Sequence, residues 1–277
     1  VYAGNADAEW TPTTIAAPTG TTVASFGTAL EGGLDFDGDG YTDLFILDAN
    51  EGRVHFAAGG PKSAGKIKAS LTTGTTCEYY LKPNLVRAGD MNGDGYGDVA
   101  VRCDSRLLVF AGGRTPDLLP LWSHQFSDDG KYLGHGIAGG ADLGSDGFAD
   151  LLVHGDDQNG ANLFMLAGSA ALSDADALLP FRGALSKDGK ATAGEGLSAG
   201  DFDGDGRPDL LVQLKMAGQV RLFSSGKTMS GSCTTANNTE SIGDWCRSAV
   251  TTIEGKYEAE SNPDYEIGYS FGSLLAQ

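Results

Sequence analysis

The chain has 277 residues, including 42 glycines, and a formal net charge of −18 at pH 7. This acidity argues against nucleic acid as a partner, because binding to nucleic acid depends on Lys and Arg side chains that neutralise phosphates. The sequence contains no apolar run of about 18 residues, the length that a membrane-spanning helix requires. The length is sufficient for one large all-β domain.

Residues 1–20 are predicted to be the end of a repeated unit. Residues 1–4 resemble residues 109–112, which belong to a predicted third strand, and residues 10–15 are predicted to form the fourth strand. Residues 21–77 are the first complete unit, in which an acidic loop separates the first two of four predicted strands. Those strands cover residues 25–33, 44–47, 53–59 and 67–71.

The same order of strands and loop occurs in three further units, residues 78–128, 129–186 and 187–266, the last of which contains an insertion. The acidic loops begin 52 to 59 residues apart, and such a fixed period indicates a repeat architecture. Four short strands with glycine-rich turns in each period are typical of a β-propeller blade. The predicted strands are 85–89, 99–101, 107–112, 121–126, 133–141, 151–153, 162–168, 180–185, 194–200, 210–212, 219–226 and 249–253.

Residues 267–277 are predicted to be the first strand of a next unit, because residues 270–275 resemble residues 25–30. The two ends could complete one shared blade and close a five-bladed ring, or the chain could be a fragment of a longer propeller. We favour the fragment, since Gln277 stands where a further acidic loop would begin. Residues 169–179 are the longest helix candidate, and we expect at most one short helical turn there.

Each acidic loop spans nine residues, with oxygen-bearing side chains at positions 1, 3, 5 and 9 and glycine at positions 4 and 6. Clustered carboxylates repel one another unless a cation lies between them, and Ca²⁺ takes six to eight oxygen ligands in flexible geometry. We expect about four calcium sites, with position 7 supplying a backbone carbonyl. The expected ligands are Asp35, Asp37, Asp39, Tyr41 and Asp43; Asp90, Asn92, Asp94, Tyr96 and Asp98; Asp142, Asp146, Phe148 and Asp150; and Asp201, Asp203, Asp205, Arg207 and Asp209.

Two alternatives to such a site are considered. The loops could be Asp-Gly turns that bind nothing, but four copies with the same acid spacing favour metal. The first six residues also fit an EF-hand loop, which needs glutamate at position 12, whereas this chain has only Ile or Val there. The third loop departs from the pattern, because Gly144 replaces the ligand at position 3 and Ser145 stands one place further on. We expect the Asp142 loop to be the weakest site.

The four cysteines contain no C-x-x-C pair, so a zinc site is not expected. Proximity in sequence favours the pairs Cys77–Cys103 and Cys233–Cys246, although four reduced cysteines are the alternative. Disulfides together with calcium loops predict an extracellular or cell-surface location.

The loops, the apolar strands that follow them and the dipeptides Phe26-Gly27 and Phe271-Gly272 resemble the FG-GAP repeats of integrin α-subunit propellers and many bacterial surface proteins. The dipeptide is degenerate in the middle units, at Leu133-Gly134 and Gly194-Glu195. The resemblance implies a β-propeller of four-stranded blades, with a calcium loop between strands 1 and 2 of each blade. It also implies that calcium stiffens the blade while ligands bind elsewhere.

The leading functional hypothesis is therefore a non-catalytic, extracellular binding, adhesion or assembly module that is part of a larger polypeptide. Its partner would be a protein or a glycan on the cell surface or matrix. A lectin is the alternative, since Trp10, Trp122 and Trp245 could stack on sugars. The propeller domain of a secreted enzyme is a third hypothesis, which the four histidines do not favour because no catalytic spacing connects them.

Overall fold

A computed structural model shows the architecture of the chain. It describes residues 2–3, 11–12, 14–19, 21, 25–61, 65–77, 84–126, 132–156, 163–172, 178–180, 193–214, 219–223 and 251–254. No α-helix occurs in these ranges, and hence no helix within them is long and apolar enough to cross a membrane.

The described residues form eighteen β-strands. In chain order they are β1 (Tyr2–Ala3), β2 (Thr11–Pro12), β3 (Phe26–Leu34), β4 (Asp43–Asp48), β5 (Arg53–Ala58), β6 (Lys66–Thr72), β7 (Asn84–Gly89), β8 (Asp98–Cys103), β9 (Arg106–Phe110), β10 (Trp122–Gln125), β11 (Tyr132–Ala141), β12 (Asp150–Asp156), β13 (Leu163–Leu166), β14 (Leu178–Pro180), β15 (Ala193–Gly200), β16 (Asp209–Leu214), β17 (Gln219–Phe223) and β18 (Thr251–Glu254).

The strands form four four-stranded sheets, one for each complete unit predicted from the sequence. Within each sheet, every strand pairs antiparallel with the next strand along the chain. Strands β1 and β2 pair in the same way and form a separate two-stranded ribbon. This up-and-down order is that of a propeller blade, and the prediction of an all-β chain with four strands per unit is confirmed.

The second strand of each sheet is buried on both faces, which explains its continuous apolar sequence. All six residues of β8 are buried, as are five of the six in β4. By contrast, the edge strand β6 alternates between more exposed and less exposed residues. A strand with neighbours on both sides and packed layers above and below selects apolar residues at every position.

One predicted feature differs from the structure. The expected helical turn in residues 169–179 does not form in the described part of that segment, where Ala170 and Ala171 make a plain turn. Leu178 and Leu179 instead pair with β13 as part of β14. This strand ends at Pro180, a residue that an edge strand tolerates because its missing N–H is not needed by a further neighbour.

The chain divides into two compact units. The first consists of Val1–Asp90 and Asp94–Gln125, and the second of Met91–Gly93 and Phe126–Gln277. In the first, β3 contacts β7, and the aromatic rings of Phe36, Phe45 and Phe56 pack together in the core with centroids 5.0 to 5.8 Å apart. In the second, β11 contacts β15 around an aliphatic core. The core residues of the second unit include Leu152, Leu163, Leu197, Leu210 and Val212.

A disulfide joins Cys77, which follows β6, to Cys103 at the end of β8. Both side chains are buried in the core of the first unit, so the bond connects two adjacent sheets covalently. It is one of the two pairs predicted from the sequence. The other predicted pair, Cys233–Cys246, lies outside the described residues.

We expect the double variant Cys77→Ala/Cys103→Ala to lower the free energy of unfolding by ~2–4 kcal/mol, because the bond restricts the unfolded chain. Urea denaturation monitored by fluorescence measures this change. The comparison variant is Cys233→Ala/Cys246→Ala, which removes the other two cysteines and leaves the Cys77–Cys103 bond intact. An unchanged urea midpoint in the Cys77→Ala/Cys103→Ala variant would contradict a stabilising role for this disulfide.

Candidate metal centres

The backbone of every acidic loop wraps around the carboxylate at position 1. One oxygen of this aspartate accepts the N–H of position 5, and the other accepts the N–H of position 6. The N···O distances lie between 2.8 and 3.1 Å in all four loops. The four aspartates at position 1 are Asp35, Asp90, Asp142 and Asp201.

A second turn follows, in which the carboxylate at position 5 accepts the N–H of position 7 at 2.9 to 3.0 Å. Positions 4 and 6 have positive φ in all four loops, a backbone conformation that glycine adopts readily. The exception in sequence is Ser145, which occupies position 4 of the third loop with φ 55°. A left-handed serine is strained, so the third loop is held less favourably in the shape that the others adopt.

The aspartate at position 9 is buried at the start of the second strand in all four sheets. Asp43 accepts N–H bonds from Phe36 at position 2 of its loop and from Gly59, which follows β5, both at 2.8 Å. Asp150 likewise accepts N–H bonds from Gly144 and Gly168, both at 2.9 Å. Each of these carboxylates therefore fixes the loop to the end of the third strand.

Burial raises the pKa of two of these aspartates. Desolvation is the largest cause at Asp43, where the neighbouring Asp37 and Asp39 carboxylates act in the same direction. Desolvation also raises the pKa of Asp150 to about 6. An ionised carboxylate at either place is costly unless a nearby positive charge offsets it, and the backbone N–H bonds offset only part of this cost.

The structure brings three carboxylates together in two of the loops. Carboxylate oxygens of Asp35, Asp37 and Asp39 all lie within 4.8 Å of one another, and so do those of Asp201, Asp203 and Asp209. In the remaining two loops position 3 is Asn92 or Gly144, so the same triple of carboxylates is not available. In the Asp142 loop no side-chain oxygen occupies position 3 at all, and the expectation that this loop is the weakest site stays a prediction.

The first loop fits a hard cation such as Ca²⁺. Asp37 is only 9% exposed, and no hydrogen-bond donor among the described residues reaches its Oδ1 atom. The other oxygen contacts Nζ of Lys68 on β6, which also lies 3.7 Å from Asp39 Oδ2. The hydrogen bond to Asp37 is the largest cause of the raised pKa of Lys68. A buried, unpartnered oxygen beside clustered carboxylates is what oxygen coordination by calcium would satisfy.

Two contributors to these loops were not identified from the sequence. Lys68 gives no sequence signal, because only the pairing of β5 with β6 brings it to the loop. The glycine after the third strand was visible as a recurrent chain ending, but its role was not. A Cβ atom on this glycine would lie 2.1 to 2.3 Å from the backbone carbonyl at position 8 of its loop, so any side chain there would clash. The three described examples are Gly59, Gly112 and Gly168.

Other residues considered as ligand-binding candidates do not form a site in the described structure. Trp122 is 3% exposed and stacks on His124, so its ring faces are not available to a sugar. Trp10 and Trp245 lie outside the described residues. His55 lies on β5 and is 1% exposed, with Nδ1 2.8 Å from Ser70 Oγ and Nε2 3.8 Å from Asp48 Oδ2. Solvent therefore does not reach the imidazole ring of His55.

Comparison with known proteins gives two findings. A sequence model of the FG-GAP-like repeat matches residues 35–101 and 142–212, which contain all four acidic loops. A solved structure described as BBS1N in complex with ARL6DN, soaked with lead, has 12% sequence identity and a TM-score of 0.44. The similarity covers 74% of this chain and 55% of that chain, so this chain spans about half the length of the structure that it matches.

The substitution Gly112→Ala is expected to lower the free energy of unfolding by ~1–3 kcal/mol, the usual cost of overpacking. Its Cβ atom would lie 2.3 Å from the Gly97 carbonyl oxygen and 2.8 Å from that of Phe36, and neither backbone atom can rotate away. Gly32→Ala on β3 is the matched control, because its nearest neighbour is 3.5 Å away. Chemical denaturation measures both variants, and equal midpoints would refute the proposed close approach at Gly112.

Proposed function

Because the chain belongs to the FG-GAP-like repeat family, we propose that it is a calcium-stabilised β-propeller module that binds a partner outside the cell without catalysing a reaction. The observation that carries this proposal is the loop around Asp35, whose backbone encloses a cluster of carboxylates with a buried oxygen that no described donor reaches. The same backbone arrangement occurs in the other three loops.

The residues that would hold calcium are those at positions 1, 3, 5 and 9, together with the backbone carbonyl of position 7. When bound, the ion supplies two positive charges that offset the mutual repulsion of the carboxylates. The backbone N–H bonds to the carboxylates at positions 1, 5 and 9 hold the loop in its shape. In the third loop the ligand at position 3 is missing, so fewer protein oxygens would coordinate the ion.

The strand order within each sheet supports a propeller in which each four-stranded sheet is one blade. The β1–β2 ribbon would then be the third and fourth strands of a further blade.

The environments of the loop acids and of His55 support a role in binding rather than in catalysis. The acids of the described loops would serve as metal ligands, and in the Ser70–His55–Asp48 group the imidazole and the carboxylate are buried within the sheet. A protein partner is favoured by the turn between β9 and β10, where Leu118, Leu119 and Leu121 are all exposed. Clustered apolar side chains on a surface are typical of protein interaction sites. The Cys77–Cys103 disulfide supports an extracellular location, since such bonds persist in oxidising compartments.

Calcium is expected to raise the melting temperature of the protein. A site saturated at 100 times its Kd contributes about 2.7 kcal/mol when only the folded state binds. Differential scanning calorimetry in calcium and in excess EGTA measures the effect. Asp37→Ala and Asp203→Ala should each reduce the calcium-dependent increase more than Gly144→Ala, whose added Cβ would have no neighbour closer than 3.5 Å.

The same measurement can refute both levels of the proposal. An identical melting temperature with and without calcium would remove the metal from the proposed function. A larger loss in Gly144→Ala than in Asp37→Ala would leave calcium in place but invert the order of the sites.

A glycan array probed in calcium would separate a lectin from a protein-binding module, and specific glycan binding would overturn our preference for a protein partner.

The stabilisation by calcium is also expected to depend on pH through Asp150. Its pKa in the folded protein is raised from 3.8 to about 6, so protonation favours the metal-free folded state. That contribution is present below about pH 3.8 and is lost as the pH rises through about 6. Calcium requires the ionised carboxylate, so proton and metal compete.

The difference in melting temperature between calcium-saturated and resin-treated, calcium-free protein should therefore be larger at pH 7 than at pH 5. In Asp150→Asn this pH dependence should be weaker, because the amide does not titrate. Asp104→Asn is a control in the half-buried turn between β8 and β9 of another sheet, away from the acidic loops. If Asp150→Asn kept the full pH dependence of the unmodified protein, Asp150 would not be a group at which proton and calcium compete.

A further inference from the structure

Successive acidic loops are in direct contact through the side chain at position 7. A Cβ atom on Gly38, at position 4 of the first loop, would lie 2.4 Å from Cε1 of Tyr96 in the second loop. A Cβ atom on Gly93, at position 4 of the second loop, would lie 2.5 Å from Cε1 of Phe148 in the third. In both cases an aromatic ring covers the glycine of the preceding loop so closely that any side chain there would require the ring to move.

A backbone hydrogen bond makes a second connection at the same two places. The N–H of Gly113 donates to the carbonyl of Phe36, at position 2 of the first loop, at 2.7 Å. The N–H of Ser169 donates to the carbonyl of Met91, at position 2 of the second loop, at 2.8 Å. Gly113 and Ser169 each come directly after a glycine, Gly112 or Gly168. The N–H of that glycine donates to the position 9 aspartate of the later loop of the pair. Two consecutive N–H groups therefore bond to two successive loops.

The next pair of loops has neither member of the aromatic contact. Position 4 of the third loop is Ser145 rather than glycine, and position 7 of the fourth loop is the exposed Arg207 rather than an aromatic residue. The ring and the glycine that it covers are thus present together twice and replaced together once. This joint replacement indicates that the two residues act as a pair.

We infer that the first three loops bind calcium as a coupled row, in which occupation of one loop raises the affinity of the loop before it, while the fourth binds independently of the third. This inference rests on the proposed function. Calcium at a loop would fix its position 7 backbone, from which the aromatic ring extends. A fixed ring restricts the preceding loop to the conformation with positive φ at position 4, so less conformational entropy is lost when that loop binds its own ion. Coupling of this kind is reciprocal.

The experiment follows each loop separately by NMR during a calcium titration. The N–H of the glycine at position 6 donates to the position 1 carboxylate in every loop, at 2.8 to 3.0 Å, so its amide resonance reports on that loop. The four reporters are Gly40, Gly95, Gly147 and Gly206. Their midpoints are compared between the unmodified protein and the variant Tyr96→Ala.

In Tyr96→Ala, the midpoint at Gly40 should shift to at least about fivefold higher calcium, the lower end of typical coupling between sites. Two variants are controls. Tyr41→Ala removes a position 7 ring that packs on Gly60 of its own sheet and should leave Gly95 and Gly147 unchanged. Arg207→Ala should leave Gly147 unchanged. An unshifted Gly40 midpoint in Tyr96→Ala, or an equal shift of all four reporters, would overturn the coupling.

A variant that adds the contact, rather than removing it, tests the inference if Tyr96→Ala does not fold. The double substitution Ser145→Gly/Arg207→Tyr introduces the missing pair between the third and fourth loops. It should lower the Gly147 midpoint relative to Ser145→Gly alone, and no difference between the two would overturn the inference. A protein in which none of the four glycines responds to calcium would instead refute the proposed function, so the two failures are distinguishable.

Discussion

The carboxylate at position 9 of each acidic loop is buried where the second strand begins, and it accepts backbone N–H bonds there. At Asp43 and Asp150 one donor comes from the beginning of the loop and the other from the glycine after the third strand. A buried carboxylate left without such donors would cost several kcal/mol. The loop, the second strand and the end of the third strand must therefore adopt their positions together.

Several features of the sheets follow from this constraint. The third strand has to end in glycine, because the carbonyl at position 8 of the loop occupies the space that a side chain would need. The first strand has to end so that position 1 of the loop can accept the N–H bonds of positions 5 and 6. A register shift next to a glycine with positive φ does this in the first three sheets, at Gly33, Gly89 and Gly140. The fourth sheet pairs Gly200 with Asp209 without such a shift.

The sequence was sufficient to predict the parts that each repeat specifies by itself. Four strands per unit, the position of each loop and the Cys77–Cys103 bond all follow from patterns within one or two units. The contacts of Lys68 with Asp37 and of Tyr96 with Gly38 could not be predicted, because they join residues that are distant in the chain and become neighbours only when the strands pack. Trp122 is a case in which the sequence left sugar stacking open as the less favoured interpretation, and the structure shows its ring buried and stacked on His124.

The third loop differs from the others in more than the one missing ligand. Gly144 lacks an oxygen, Ser145 is held at positive φ, and the ring that would cover position 4 is absent because Arg207 stands at position 7 of the next loop. Each change alone would weaken the loop modestly, but all three occur at one place in the repeat. The N–H groups of Gly168 and Ser169 bond to the third and the second loop, respectively, so one short segment contacts both loops. The third loop nevertheless retains the backbone N–H bonds to Asp142 and Asp150, so its fold is kept while its set of side-chain oxygens is incomplete.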